Sequence, residues 1–516
     1  MRSFSLVVLF GFLSIVGADD AKPDLLTVAE RTNWDATSRH AEVMDFCKKL
    51  AAQSPNVQLT IMGHSKEKRD LPLLIIANPP ISTPEEARKS GKPVVMAFAN
   101  IHAGEVEGKE SLQILARELT LPKPHPLLDK LIVLLNPIFN ADGNEKIDPK
   151  NRPYQGGPAA GVGVRHNADN LDLNRDFVKL RSPEARALVK CWSDWDPLLI
   201  VDCHSTNGSY HRYLITYDGP RHPAVDAEIR SLTEKALLSD LTARLKKLGG
   251  WDSFFYGSFN RDRTSWDSYP PLPRFAIQCA SVRNRFGILS EAYTYAPFKE
   301  RVLASRDFVR ANFDYIADHA DAVKKLCAEA DGRATAATEP LVLRYRSVPS
   351  PGRYNVLGYV EERKEGERRG KPTEKHMEYP CTYLGACEPT LTVKRPVAYF
   401  IPPDQTVALE IVKLQGIEMT ELKAPREAHI ERFMISKVKS ENNPFLGGKQ
   451  VLVEGEWKPE TMTIPAGWFE VKAGQRLGNL ACFILEAQSD DGVLAWGFLG
   501  DSIAEGKACP IVRRLK

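Results

Sequence analysis

The sequence predicts an α/β protein: a mixed, largely parallel central sheet flanked by helices, followed by a C-terminal all-β domain. Three observations predict it. The runs "KPVVMAFAN", "LIVLLNP", "PLLIVDCHS" and "FGILSEAY" are almost continuously apolar, as strands buried on both faces must be. Stretches of helical period lie between them, and alternation of buried strands with helices favours parallel pairing. Beyond residue 340 the texture changes to short β-rich runs divided by Pro, Gly and Asp. A chain of 516 residues also exceeds what one hydrophobic core organises, so two or three domains are expected.

The elements follow in order. Residues 24–55 form an amphipathic helical entry with Val43, Cys47, Leu50 and Ala51 on one face. "VQLTIMGHS" and "DLPLLIIAN" are two strands around the charged turn 66–69. The strand "KPVVMAFAN" is followed by a helix, "VEGKESLQILARELT", with Leu112, Leu115, Ala116 and Leu119 as its stripe. Further helices are expected at about 183–193, 224–248 and 298–326. The small, polar segment 328–340 reads as a linker, and 361–375 as a solvated charged loop. The C-terminal runs "RPVAYFIP", "TVALEIVKL", "ERFMISKV", "QVLVEGEW", "MTIPAGWFEV" and "CFILEAQS" read as strands of a sandwich or barrel. The domain division is therefore a signal peptide at 1–18, a first domain at 19–327, a linker at 328–340 and a β-rich domain at 341–516.

Composition excludes several function classes. With 69 basic against 66 acidic residues and a net charge of +3, nothing argues for a nucleic-acid partner. Arg2, the short apolar run Phe4 to Val16 and the small residues before Asp19 have the form of a cleaved signal peptide. No later segment is apolar for the roughly 18 residues a span needs. A secreted or periplasmic protein without stable membrane association is expected; the oligomeric state is not written in the sequence. The nine cysteines are scattered: Cys203 reads as a buried free thiol, and Cys381 and Cys387 are close enough to pair across a turn. No Cys-x-x-Cys pair is present to hold a structural zinc.

Four ionisable side chains gather where buried strands end. His102 and Glu105 are three apart between a strand and a helix, His204 follows a second strand, and Glu291 a third. Ligands in open α/β sheets bind outside the carboxyl ends of the strands. Two histidines and one glutamate leave an open position on a tetrahedral zinc, which is the arrangement of a catalytic site. A water there has its pKa lowered to about 7, and Glu291 is then the natural general base.

The ordered set His-x-x-Glu, "NPIFNADGNE", "RHNADNLDLNRDF", "DCHS" and "LSEAY" resembles the zinc metallocarboxypeptidase family of carboxypeptidase A, over roughly residues 25–325. It looks most similar to an exported bacterial branch with a long C-terminal extension. The resemblance implies a carboxypeptidase-like fold and one Zn2+ held by His102, Glu105 and His204. It implies Glu291 as general base and proton carrier, and Arg165 as the group polarising the scissile carbonyl. It implies Asn174 and Arg175 as the grip on the carboxylate of a peptide or protein substrate with a free C-terminus. A guanidinium fork suits a carboxylate.

Departures from that pattern shape further expectations. The arginine often found between the metal-binding His and Glu is replaced by Ala103-Gly104. Tyr269 is the first choice for the mobile active-site tyrosine, with Tyr256 as the other option. Among Arg274, Arg283 and Arg285, one directed inward would favour acidic side chains. His211 and His222 lack metal spacing and read as ordinary core or loop residues. Two other functions stay open: a zinc amidohydrolase acting on peptidoglycan stem peptides or N-acyl amino acids, and an inactive zinc-binding recognition protein.

Overall fold

The structure is a computed structural model that describes residues 25–206, 209–362 and 370–515. The expected signal peptide at 1–18 lies outside the described residues.

Eight strands form the central sheet: β1 (Val57–His64), β2 (Asp70–Ile76), β3 (Val94–Ala99), β4 (Ile132–Asn136), β5 (Leu199–Thr206), β6 (Ile215–Asp218), β7 (Ser253–Phe255) and β10 (Phe286–Tyr293). Their order is β1-β2-β4-β3-β5-β10-β6-β7. The middle, β4-β3-β5-β10, is parallel, and antiparallel pairs flank it. Both faces are apolar because successive side chains of a strand point to opposite sides. In β3, Val95, Ala97 and Ala99 join one cluster with Leu112, Leu115 and Phe308. Val94, Met96 and Phe98 join the other with Leu188, Trp192 and Ala280. Helices 40–53, 107–120 and 298–318 therefore cover one face, and 183–195 and 276–282 the other.

The C-terminal region departs from its expectation. Helix Ala320–Ala336 runs through most of the segment expected as a linker. "TVALEIVKL" is the helix Thr406–Leu414, and most of "CFILEAQS" belongs to the helix Gly478–Leu485 and the turn after it, so the region is β-rich rather than all-β. Ala408, Ile411 and Val412 are the buried residues of the first helix, at helical spacing that the β-branched composition concealed. The core is shared as well. Ile411, Val471, Leu480 and Phe483 belong to the same apolar cluster as β3 and β5. Two short strands, β8 (Ser258–Phe259) and β9 (Ser265–Asp267), pair into the C-terminal part, β9 lying parallel to β13 (Lys371–Leu384), which itself pairs with β12 (Tyr354–Glu362). Residues 361–362 and 371–375 are strand, not loop.

β11 (Leu341–Val348) and β14 (Ala386–Val393) make a separate pair. The last sheet joins β15 (Ala398–Ile401), β16 (Thr420–Glu421), β17 (Arg426–Asn443), β18 (Gly448–Ile464), β19 (Phe469–Lys472) and β20 (Ala508–Arg514). Strands β17 and β18 form one long hairpin whose turn is the 3-10 helix Pro444–Leu446. All nine cysteines are free, so Cys381 and Cys387 do not pair; the Cys381 thiol instead approaches the Arg263 carbonyl.

Candidate zinc carboxypeptidase site

Sheet register assembles the site. The parallel pairing of β5 with β10 sets His204 directly beside Glu291. β3 stops at Ala99, and Asn100 turns the chain with a φ of +66°, a conformation asparagine tolerates. The short loop that follows carries His102 and Glu105, before the helix that starts at Glu107. Thus loop residues 102 and 105 meet His204, which lies inside β5 two residues before its end.

The three donor groups are buried and mutually close. His102 Nδ1 lies 3.0 Å from Glu105 Oε1, His204 Nδ1 lies 2.8 Å from Glu105 Oε2, and the two Nδ1 atoms are 3.2 Å apart. A tetrahedral zinc with bonds of about 2.0–2.1 Å has ligand–ligand edges of roughly 3.4 Å. The donor chemistry and spacing therefore fit zinc. The charges fit too. Burial opposes charge on His204, but Asp202 and Glu105 outweigh it and hold the imidazole well above its ordinary value. Burial would raise Glu105, yet His102 and Arg152 hold its carboxyl well below the usual range. The pocket is thus negative enough to hold a positive charge where the three donors converge.

Outer partners that the sequence reading missed orient these ligands. Asp202 Oδ2 accepts from His204 Nε2 at 2.9 Å, and Asp172 Oδ1 lies 3.1 Å from His102 Nε2. Such carboxylate–histidine pairs fix the ring and its tautomer. Asp202 was visible in principle, since it lies two residues before His204 on one strand and so on the same face. Arg152 donates to Glu105 Oε1 at 2.8 Å. It packs over Gly104, where a Cβ would sit 2.8 Å from its Nε. A guanidinium therefore covers the His-x-x-Glu loop although the loop itself has none.

One cavity of about 340 Å³ contains His102, Glu105, His204, Glu291, Arg165, Asn174, Arg175, Tyr256 and Tyr269 among its lining. Burial pushes the Glu291 carboxyl up to about 8, with Glu105 and Asp202 adding and His204 and Arg165 opposing. Arg165 clasps Asp172 Oδ2 through Nε and Nη2 at 3.0 and 2.8 Å, with Nη1 3.8 Å from Glu105. Arg175 is held by the Phe445 carbonyl at Nε, 2.6 Å, and by the Asn174 carbonyl at Nη1, 2.8 Å. A guanidinium has five N–H groups, so three remain on its Nη1 and Nη2 end. Burial draws Arg175 down to about 10, with Asp172, 3.9 Å from its Nη1, opposing; it stays charged at neutral pH.

Other placements differ from the expectations. Asn174 lines the pocket, but its carboxamide is engaged: Oδ1 accepts from Ala276 N at 2.9 Å and Nδ2 lies 3.2 Å from His204 Nε2. Tyr269 meets Gln278 at 3.4 Å and faces the Asp218–Arg221 pair. Tyr256 is the tyrosine whose hydroxyl senses Glu291, burial and that carboxylate both raising it. None of Arg274, Arg283 and Arg285 enters the cavity. Arg274 pairs with Asp491, Arg283 binds Gln415 and Ser193, and Arg285 clasps Asp196 and Asp331. His211 and His222 are buried among aromatic rings, away from the metal ligands.

Comparison with known proteins agrees with this chemistry. Residues 43–242 match the family model described as zinc carboxypeptidase, Peptidase_M14. "Carboxypeptidase 2" of Trichophyton rubrum is 22% identical over 510 residues, covering 93% of this chain and 87% of the fungal protein. "Carboxypeptidase Z" of Rattus norvegicus is 32% identical over 150 residues, covering 28% of this chain and 22% of the rat protein. Among solved structures, a metallo-carboxypeptidase from Pseudomonas aeruginosa is similar with a TM-score of 0.40 and 18% identity, over 55% of this chain and 68% of that one. Residues 43–242 thus carry a zinc carboxypeptidase domain, and the protein is a zinc-dependent metallocarboxypeptidase acting on peptides.

Proposed function

We propose that this enzyme removes the C-terminal residue from peptides that end in a free carboxylate, with zinc held by His102, Glu105 and His204. The single observation that carries the reading is one cavity with the three donors and Glu291 among its lining, together with a buried guanidinium, Arg175, that still has donors to spare. Bound zinc supplies a Lewis acid and an activated water. Glu291 takes a proton from the attacking water and passes it to the leaving amine. Its burial suits that task, because a carboxylate of ordinary acidity would be a weaker base. Arg165 stabilises negative charge growing on the carbonyl oxygen. Arg175 meets the terminal carboxylate end-on through its remaining N–H groups, which fixes the scissile bond. Asn174 supports the site by accepting from the Ala276 main chain more than through the substrate. Tyr256 is the tyrosine we assign to act with Glu291: both line the cavity, whereas Tyr269, also in the lining, is engaged by Gln278.

The N-terminal segment 1–18 supports export as part of the same reading, as does the finding that no helix among the described residues is long and apolar enough to cross a membrane. Membership of a bacterial branch belongs to this proposal as well.

The test is direct. Glu291→Gln should keep one zinc per chain yet lose turnover by about 100- to 10,000-fold. Chelation should abolish wild-type activity and zinc should restore it. A peptide-library digest read by mass should show single C-terminal residues lost from free ends and no cleavage of amidated ones. Equal cleavage of amidated peptides would remove the carboxylate grip from the account.

A further inference from the structure

Most of the cavity wall comes from residues 102–291, but Phe445 belongs to the C-terminal region. It sits in the turn Pro444–Leu446 at the tip of the β17–β18 hairpin. At 62% exposure it is the most exposed large apolar side chain among the described residues. What distinguishes it is its place: the ring is part of the cavity lining and lies 5.0 Å from the Arg175 guanidinium.

The tip is fastened to the catalytic face by three successive carbonyls. Phe445 O accepts from Arg175 Nε at 2.6 Å, Leu446 O from Arg274 Nη1 at 2.7 Å, and Gly447 O from Lys179 Nζ at 3.3 Å. Gly447 permits this approach: its φ is +103°, and a Cβ there would lie 3.0 Å from Arg175 Cβ and from Lys179 Nζ. The Arg175 guanidinium lies between two rings, 4.3 Å from the centroid of Phe275 and 5.0 Å from that of Phe445. The remaining apolar lining of the cavity is Phe275, Ile277 and Leu289, and no arginine of the 274–285 stretch reaches it.

We infer that the hairpin tip completes the substrate pocket. Phe445 packs against the side chain of the substrate's C-terminal residue, and its carbonyl positions the free end of Arg175. The ligand class that fits is a peptide ending in an aliphatic or aromatic residue, since Phe275, Ile277, Leu289 and Phe445 supply the apolar wall and the cavity's three arginines are engaged by Glu105, by Asp172 and by the terminal carboxylate. This rests on the reading above, in which Arg175 takes the terminal carboxylate. The C-terminal region is then part of the enzyme's specificity apparatus rather than a separate recognition module.

The experiment uses the full chain and blocked dipeptides ending in Phe, Leu, Asp and Lys, each with a free and an amidated end. Phe445→Ala should raise KM for the Phe- and Leu-ending substrates by about 10-fold more than for the Asp- and Lys-ending ones, and hold kcat within about threefold. Phe445→Tyr should restore the wild-type KM. A KM unaltered across the panel, or a uniform loss of kcat, would overturn the inference. The reading beneath it fails separately: if the wild type cleaves amidated dipeptides as well as free ones, Arg175 is not the carboxylate grip, whatever Phe445 does. Because the ring is exposed, a thermal melt of Phe445→Ala should match the wild type.

Discussion

Two sets of arginines teach different lessons. Arg152, Arg165 and Arg175 border the cavity, and Arg175 still has donors free at its Nη1 and Nη2 end. Arg274, Arg283 and Arg285 lie just upstream of Glu291 in sequence, where a specificity arginine was expected, yet every one is turned to partners outside the cavity. Arg274 alone is bound by Asp491, the Leu446 and Asp490 carbonyls and Gln450, and it stacks on Trp496 at 4.7 Å. Position near a catalytic residue therefore does not make an arginine a substrate contact; spare hydrogen-bonding capacity facing the cavity does.

The difference can be broken from either side. The largest effect should come from the structural set. Arg274→Met leaves Asp491 buried without its partner, which should cost about 3–5 kcal/mol of stability, read as a lowered urea midpoint at unchanged slope. A loss under 1 kcal/mol would mean that the pair is not holding the C-terminal region to the sheet. From the cavity set, Arg165→Met should lower kcat by about 100- to 1,000-fold while shifting that midpoint little, because a third of its side chain is exposed. Comparable destabilisation by both substitutions would erase the distinction.

A smaller effect sharpens the same contrast through pH. Glu291 works as a base only when ionised, so kcat/KM should rise with pH through its value. Burial pushes that value up to about 8 from 4.5, and a bound cation opposes burial. The acid limb of the profile should therefore fall between those two values. The Arg165 charge also opposes protonation of Glu291, so Arg165→Met should move the limb to higher pH, while Arg285→Met should not. A limb at 4.5 in the wild type would show that Glu291 is not desolvated in the working enzyme.

How much of this was legible depends on whether an interaction is local. The buried strands could be read because each carries its own apolar run; β10 matches "FGILSEAY" residue for residue. The strand-end pattern likewise singled out His102, Glu105, His204 and Glu291, since one motif and two strands each bring their ligand with them. "TVALEIVKL" misled because Thr406, Val407, Ile411 and Val412 satisfy a strand's composition while the buried Ala408, Ile411 and Val412 keep a helix's spacing.

By itself the sequence determined the strand-and-helix order, the chemistry of the donor set and the family. Only tertiary structure decided which arginines border the cavity, that Asp172 and Asp202 steady the imidazoles, and that a hairpin tip some 270 residues beyond Arg175 joins the cavity wall. The physical reason is that periodicity is written in neighbouring residues, whereas the saturation of a polar group depends on acceptors supplied by parts of the chain that meet only after folding.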